Sequence, residues 1–492
     1  MRTDPKNRTP PHILLITTDQ QRHDATGLTG PGFLRTPHFQ HLCSQGIRFD
    51  HAYSDCPLCV PARTTIMTGQ PAYSHGLSEN GPTRGVIDRK SSLPGLLGGL
   101  GYQTVAIGKM HFGPQRMRHG FQEMILPDDY YREMAKQGTE CQPMRHGIGQ
   151  NELYPALSTV PEAKTLTAWT AEQCVDYIRY RRDPDLPFFL WCSFSKPHPP
   201  LDPPEPYYSM YLDSAIPDPV TSDWSSSEDC PVAIRRFIER RGFDTMHPEV
   251  IRAARAAYYG LITQIDYNMG RVLAALQESR ILKDTLIVYT SDHGEYLGDH
   301  RCCAKTFFHE QSSRVPFVLR LPQRDGSTLV NRVDDRLVSL ADIYPTLVRA
   351  AGGDLADSAH GLDLIGMLEG SVTPRQFVVG LSGPSSRPEH ISITDGRWKY
   401  LYYPEGPTEQ LFDLAADPLE QTELCRRDRA THVATIDRLR HLILEELRKR
   451  GPAYLADGEL PEYARQGDSL DERRSRDFPG FSTEYKDVDT RH

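Results

Sequence analysis

Four places in the chain gather residue types able to hold an anion, a metal or a proton. They are Asp19-Gln20, Lys109-Met110-His111, Lys196-Pro197-His198 and Asp292-His293-Gly294-Glu295. Each follows a short apolar run, at residues 12–17, 103–107, 187–194 and 285–290. Such runs read as buried strands, and open α/β sheets bind ligands beyond the carboxyl ends of their strands. Any one of these polar clusters alone reads as a solvated loop; four together point to one convergent site. Asp19, Gln20, Asp292 and His293 offer carboxylate, amide and imidazole donors with no thiolate beside them in sequence. Oxygen-rich sets suit Ca2+, Mg2+ or Mn2+, and the imidazole extends the range toward Mn2+ or Zn2+. Glu295 reads as a partner of these residues rather than a ligand.

The most specific stretch is Cys59-Val60-Pro61-Ala62-Arg63, continuing through Thr64-Thr65-Ile66-Met67 to Thr68-Gly69. Pro61 just inside a helix start, with Cys59 ahead of it, puts that thiol at the positive end of a helix dipole. Such a place suits an anion and the group that attacks it. The same spacing fits a buried thiol before an ordinary Pro-started helix, and spacing alone leaves both readings open.

The elements that must position these residues follow from short apolar runs alternating with helical periodicity, the pattern of a largely parallel sheet covered by helices. Helices are expected at 36–45, near 92–100, at 166–181 and at 340–351, with a further strand at 316–319. Ile251, Ala254, Tyr258, Leu261, Ile265, Met269, Val272 and Leu276 recur at three- and four-residue spacing and predict one long helix with an apolar stripe. From about residue 376 the texture changes to β-rich pieces at 389–394, 398–403 and 410–413, then a charged helix near 432–448. The expected division is a catalytic α/β domain over 1–375 and a C-terminal subdomain over 376–492, ending in a charged tail from about residue 466. Residues 197–206 hold six prolines and should form a stiff excursion. The Ser/Asp-rich 221–230 segment reads as an exposed loop.

Composition excludes several classes. The 492 residues carry 56 basic against 65 acidic side chains, a net charge of −9, with no basic run of the kind nucleic acid requires. No apolar stretch is long enough to span a bilayer, so neither nucleic acid nor membrane is expected as a partner. Residues 1–11 hold no apolar run, which leads to an expected cytoplasmic location. Ten dispersed cysteines read as buried thiols; Cys302 and Cys303 are adjacent and poorly placed to bridge each other.

Cys59-x-Pro61-Ala62-Arg63, followed by Thr68-Gly69, resembles the signature of type I sulfatases, members of the alkaline-phosphatase-like superfamily. The resemblance continues through Thr18-Asp19-Gln20-Gln21, Gly108-Lys109-Met110-His111, Lys196-Pro197-His198, residues 291–300, Lys305, and Leu411-Phe412-Asp413-Leu414 with Asp417-Pro418. It implies a large mixed, mostly parallel sheet sandwiched by helices, with a smaller C-terminal α+β subdomain. It also implies an arylsulfatase-like sulfuric ester hydrolase acting on an aryl or carbohydrate sulfate monoester.

In that family a separate formylglycine-generating or sulfatase-maturating enzyme oxidises the signature cysteine to formylglycine (3-oxoalanine), whose hydrate is the nucleophile. Here that position is Cys59. By the same matching Asp19, Gln20, Asp292 and His293, joined by residue 59, hold one divalent cation, with Ca2+ expected first and Mn2+ or Mg2+ as alternatives. Arg63 and Lys109 hold the hydrate. Lys109, His198 and Lys305 grip the sulfate oxygens, with His198 as leaving-group acid and His111 taking a proton from the second hydroxyl. Cations aimed at the sulfate oxygens would stabilise the charge that develops on displacement at sulfur. Asn80, just after the signature helix, is a further candidate to touch substrate. Gln20 stands where many sulfatases carry a second Asp, and His293 where some carry Asn, so metal identity stays open.

Phosphonate monoester and phosphodiester hydrolases on the same scaffold share Cys-x-Pro-x-Arg and often Asp-Gln, but lack the Gly-Lys-x-His stretch; Lys109 and His111 therefore favour a sulfate ester. Gly108-Lys109-Met110-His111-Phe112-Gly113-Pro114 and His119-Gly120-Phe121 resemble choline sulfatases. A choline group would need an aromatic cage, for which Tyr130, Tyr131, Trp398, Tyr400, Tyr402 and Tyr403 are available, although core packing is their simpler reading. A non-catalytic anion binder is the least favoured reading, since it has no use for a leaving-group acid beside a nucleophile. His75, His300 and His309 read as loop hydrogen-bonders. The charged tail leaves a homo-oligomer open.

Overall fold

The computed structural model describes residues 10–138, 143–226, 228, 230–323 and 329–465. Cys141, most of the 1–11 segment and the tail expected from about residue 466 lie outside the described residues. In chain order the strands are β1 (His12–Asp19), β2 (Ile47–Phe49), β3 (Ala52–Tyr53), β4 (Gln103–Gly108), β5 (Glu123–Ile125), β6 (Phe188–Pro197), β7 (Thr285–Ser291), β8 (Phe317–Arg320), β9 (Arg332–Asp334), β10 (Val338–Ser339), β11 (Val378–Ser382), β12 (His390–Thr394), β13 (Trp398–Tyr403) and β14 (Thr408–Asp413).

β1 is apolar at consecutive positions, so both of its faces must be covered. Ile13 and Leu15 pack to one side, with the Cys59–Thr68, Leu93–Gly99 and Ile343–Ala350 helices. Leu14 and Ile16 pack to the other, with the Pro37–Ser44, Leu166–Asp176 and Pro248–Glu278 helices. The last is the long helix expected from the Ile251–Leu276 stripe. The main sheet runs β5-β4-β6-β1-β7-β8-β2-β9. β5, β4, β6, β1 and β7 are parallel, whereas β8 runs against β7 and β2. β4, β6, β1 and β7, the four strands that precede the polar clusters, are thus neighbours, and their carboxyl ends share one edge.

The C-terminal sheet is antiparallel in the order β11-β12-β13-β14. Tyr400, Tyr402 and Leu411 face the Arg429–Arg450 helix through its Ile436, Leu439, Ile443 and Leu447. Leu401, Tyr403 and Phe412, on the opposite face, join Trp224, Phe307 and Phe308 of the larger domain. β11 is an element that the sequence reading does not contain.

One expectation is corrected, and one alternative gives way to its simpler reading. The 221–230 segment is not simply an exposed loop: Trp224 is 1% exposed, donates Nε1–H to the Glu420 carbonyl at 2.8 Å and stacks on His309 at 4.6 Å. Its indole anchors an otherwise polar stretch against the C-terminal subdomain. The aromatics proposed for a choline cage do not converge either. Tyr130 packs on Trp169, Tyr400 and Tyr402 sit in the C-terminal core, and Tyr403 points to the domain interface. The nine described cysteines are free, and all but Cys425 are buried. Among the described residues no helix is long and apolar enough to cross a membrane.

Candidate active site

β1 delivers Asp19 and β7 delivers Asp292 and His293 to the shared edge. Gln20 turns the chain with φ 72, a conformation uncommon for a residue with a side chain, and its N–H donates to Asp292 Oδ1 at 3.1 Å. Gly294 lies so close to the Gln311 carbonyl that a Cβ would collide with it, which explains the glycine after His293. Between these strand ends the Cys59–Thr68 helix begins at Cys59 itself, one step earlier than the sequence alone suggests, and every residue of that helix is buried. Asp19, Cys59, Asp292 and His293 thereby bring four donor atoms within 4.8 Å of one another. The thiol lies 3.2 Å from His293 Nε2 and 3.8 Å from Asp19 Oδ1.

His293 Nδ1 faces the Gly294 carbonyl at 3.0 Å and must donate to it, which leaves the Nε2 lone pair aimed at the cluster. Two carboxylates, an unprotonated imidazole nitrogen and a sulfur at this spacing suit a divalent cation.

Arg63 holds the acids in place. Its guanidinium is fully buried and meets Asp292 Oδ2 at 2.9 Å and Asp19 Oδ2 at 3.5 Å, while Nη1 donates to the Lys109 carbonyl and to Ser193 Oγ at 2.9 Å. Lys109 Nζ lies 2.5 Å from Asp19 Oδ2 with its side chain 19% exposed, so it also faces the opening. Lys305 Nζ donates to Gln20 Oε1 at 2.6 Å and to His198 Nε2 at 3.0 Å. His198 Nδ1 donates to the Pro199 carbonyl at 2.8 Å, which makes Nε2 the acceptor of the lysine proton.

These contacts set the charge states. Burial would raise the Asp19 carboxyl, but the positive charges of Lys109 and Arg63 hold it well below the usual range. Burial and the Asp19 charge push Asp292 up. Burial and Asp19 oppose ionisation of Cys59, yet the positive charges of Lys305 and Lys109 bring its thiol well below an ordinary cysteine. His198 is driven well down by burial and by the positive charges of Lys305 and Lys109, and is neutral at rest.

Of the residues singled out in the sequence, Asp19, Gln20, Cys59, Arg63, Lys109, His198, Asp292, His293 and Lys305 form one connected network. Gln20 engages Glu295 and Lys305 through its amide and Asp292 through its main-chain N–H. His111 is exposed with φ 59, and no hydrogen bond ties it to the cluster among the described residues. Asn80 Oδ1 accepts the Val60 N–H at 3.1 Å and caps the signature helix beside residue 59. His75 and His309 bond to Thr65 and Tyr296 away from the cluster, and the His300 ring lies against Trp224.

Two contributors escape sequence reasoning. Ser193 Oγ joins Arg63, Thr17 and the Lys109 carbonyl, and Tyr258 donates to the Gln20 carbonyl at 2.7 Å. Ser193 breaks the hydrophobic run of β6, which is a visible signal. Tyr258 is hidden within the apolar stripe.

Among known proteins, the family described as Sulfatase matches residues 11–353, and the N-sulphoglucosamine sulphohydrolase C-terminal family matches residues 298–449. The arylsulfatase of Clostridium perfringens is 33% identical over 482 residues, covering 92% of this chain and 97% of that protein. The choline-sulfatase of Rhizobium meliloti is 30% identical over 438 residues, covering 85% and 83%. The crystal structure of the phosphonate monoester hydrolase of Agrobacterium radiobacter is similar with a TM-score of 0.77 at 26% identity, covering 90% of this chain and 96% of that one.

Proposed function

The chain belongs to the type I sulfatases of the alkaline-phosphatase-like superfamily and hydrolyses sulfuric esters, and from that premise we propose that the Asp19–Cys59–Asp292–His293 cluster is its catalytic centre, acting on an aryl or carbohydrate sulfate monoester. The observation that carries this reading is the buried thiol at a helix start, inside a cation-binding donor set and flanked by Lys109 and Lys305.

In this reading Cys59 is converted to formylglycine, which supplies a hydrated aldehyde with two hydroxyls as the nucleophile. Asp19, Asp292, His293 and residue 59, backed by Gln20, hold the divalent cation, which supplies Lewis-acid stabilisation of negative charge. Arg63 keeps the two carboxylates in fixed positions and neutralises them in part, at a buried site where water cannot do so. Lys109 balances Asp19 and turns its exposed side toward the sulfate. Lys305 carries the proton next to His198 Nε2, and this pair protonates the departing oxygen. His111, exposed two residues beyond Lys109, is the group assigned to take the proton of the second hydroxyl.

The test is a hydrolysis panel on protein co-expressed with a formylglycine-generating enzyme, with conversion at residue 59 checked by peptide mass spectrometry. The panel holds an aryl sulfate, sugar sulfates, choline sulfate and a phosphonate monoester. Turnover is expected to favour the aryl or sugar sulfates over choline sulfate, because Tyr130, Tyr400, Tyr402 and Tyr403 are buried in three separate packing clusters and cannot close one cage. Preferential hydrolysis of the phosphonate would overturn the substrate assignment. Elemental analysis of the purified protein assigns the metal among Ca2+, Mn2+ and Mg2+, and an unmodified thiol in active preparations would overturn the nucleophile.

A further inference from the structure

We propose that Glu295 is a positioning residue that decides which end of the Gln20 amide faces the catalytic centre and thereby holds the Lys305 ammonium in place. The proposal rests on the reading of Lys305 as a sulfate-holding group. Glu295 is 1% exposed, and its carboxylate receives three N–H groups. Oε1 accepts from Leu297 N at 2.9 Å and from Ala304 N, and Oε2 accepts from Gln20 Nε2. An amide has two ends of nearly the same shape and opposite hydrogen-bonding sense. Because a carboxylate only accepts, Gln20 must turn its nitrogen toward Glu295, and its oxygen then meets Lys305 Nζ at 2.6 Å.

The same carboxylate also places the lysine main chain. The segment from Leu297 to Thr306 has positive φ at Leu297, His300, Arg301, Ala304 and Thr306, a run that side chains resist. Glu295 Oε1 ties the two ends of that loop together by bonding Leu297 and Ala304, and Ala304 immediately precedes Lys305.

The arrangement has a chemical purpose. Lys305 Nζ contacts a neutral amide oxygen and a neutral imidazole, and among the described residues no carboxylate pairs with it. Lys109, in contrast, is paired with Asp19. Glu295 acts on the ammonium from one amide away and orients it without touching it.

The experiment compares Glu295→Gln, Gln20→Glu and the exchanged pair Q20E/E295Q, each co-expressed with the maturating enzyme. In E295Q the new amide oxygen keeps the Leu297 and Ala304 N–H groups. Its NH2 then meets the Gln20 NH2, and Gln20 turns over to present nitrogen to Lys305. In the exchanged pair the amide NH2 now at position 295 donates to the carboxylate now at position 20, whose other oxygen takes Lys305. Q20E alone faces two carboxylates toward each other and should lose activity as E295Q does.

The readouts are thermal melting, calorimetric titration of inorganic sulfate, and kcat/KM for para-nitrophenyl sulfate. E295Q should fold and lose sulfate affinity and kcat/KM by about 10–100-fold. The exchanged pair should recover at least about tenfold of that loss, a coupling expected of groups in direct contact. Wild-type sulfate affinity in E295Q, or an exchanged pair no better than E295Q, overturns the proposal, because a residue that only tied the loop would keep both of its N–H bonds. If E295Q does not fold, a folded exchanged pair with sulfate affinity supports the proposal and one without it overturns it. Wild-type protein without sulfatase turnover overturns the reading of the site and this proposal with it.

Discussion

Arg63 makes the site possible, because two buried carboxylates within reach of one another need a fixed counter-charge. It meets Asp292, Asp19, Ser193 and the Lys109 carbonyl from a position with no solvent contact. Removing one partner of a buried ion pair leaves the other uncompensated, at a cost of about 3–5 kcal/mol. Arg63→Ala should lose that much in urea unfolding, and Arg63→Lys should recover only part, since an ammonium cannot reproduce the guanidinium fork. A loss in R63A below about 1 kcal/mol would show that the acids are held some other way. A second prediction concerns the proton. His198 is neutral with Nε2 as an acceptor, so the mobile proton at rest sits on Lys305. Lys305→Ala should therefore lower kcat/KM for para-nitrophenyl sulfate, whose leaving group scarcely needs a proton, by the roughly 10–100-fold that its sulfate contact accounts for, and for a sugar sulfate by about 10²–10⁴-fold more. Equal losses on both substrates would remove Lys305 from the proton's path. Asp19, Lys109, His198 and Asp292 were legible in the sequence because each lies just past an apolar run. Ser193 was signalled only by its break in the β6 run, while Tyr258 and the bonds of Glu295 were hidden, because helix packing and a folded loop, rather than chain proximity, bring them to the site.

Elements far from the chemistry hold the same frame. The Pro37–Ser44 helix begins after Thr36, whose side chain makes no cap, and the cap comes instead from the long helix. Asp266 Oδ2 accepts His38 N–H at 3.0 Å and Oδ1 accepts Phe39 N–H at 2.7 Å. Asp266→Ala leaves both donors without a partner at a buried helix–helix contact. It should lower stability by about 1–2 kcal/mol in urea unfolding; a change within about 0.3 kcal/mol would mean that the helix start is satisfied otherwise. The helix itself and the long apolar stripe were readable from periodicity, since each buries one continuous face. The cap was not, because it joins residues from two distant segments. β8 was readable as a strand, yet its antiparallel direction was not, because an apolar run of four residues carries no record of its orientation. β11 escaped notice for a related reason: Val378–Ser382 is short and contains a glycine, and its place is set by pairing with β12.

At the scale of the molecule, the C-terminal sheet is joined to the larger domain by a charge inserted between them. Lys399 alternates with Leu401 and Tyr403 on the face of β13 that meets that domain, and it is fully enclosed. Its Nζ lies 2.5 Å from Glu310 Oε1 and 3.2 Å from Glu420 Oε1, and it donates to the Phe308 carbonyl at 2.9 Å. Glu420 Oε2 in turn accepts the Glu310 N–H at 2.7 Å. One ammonium thus faces two carboxylates. Burial would raise Glu310, but Lys399 and Arg314 hold it down. Burial lifts Glu420 from 4.5 to about 7, against the pull of Lys399 and with the push of Glu310. A carboxyl whose pKa is higher folded than unfolded binds its proton more tightly in the native state. Its contribution to stability is complete below the unfolded value of 4.5 and is lost as pH rises to and through about 7. Asp55, raised to about 6, and Asp266, raised to about 7, titrate with the same sign in the same window, so the wild-type slope alone does not identify Glu420. The difference from Glu420→Gln does, because the amide stands in for the protonated acid at every pH and leaves the other two groups in place. In urea unfolding, E420Q should gain stability relative to wild type as pH rises from about 5 to about 7, because wild type alone surrenders this contribution. A difference that stays constant across that window would show that Glu420 is ionised throughout, and that Lys399 holds both carboxylates as anions.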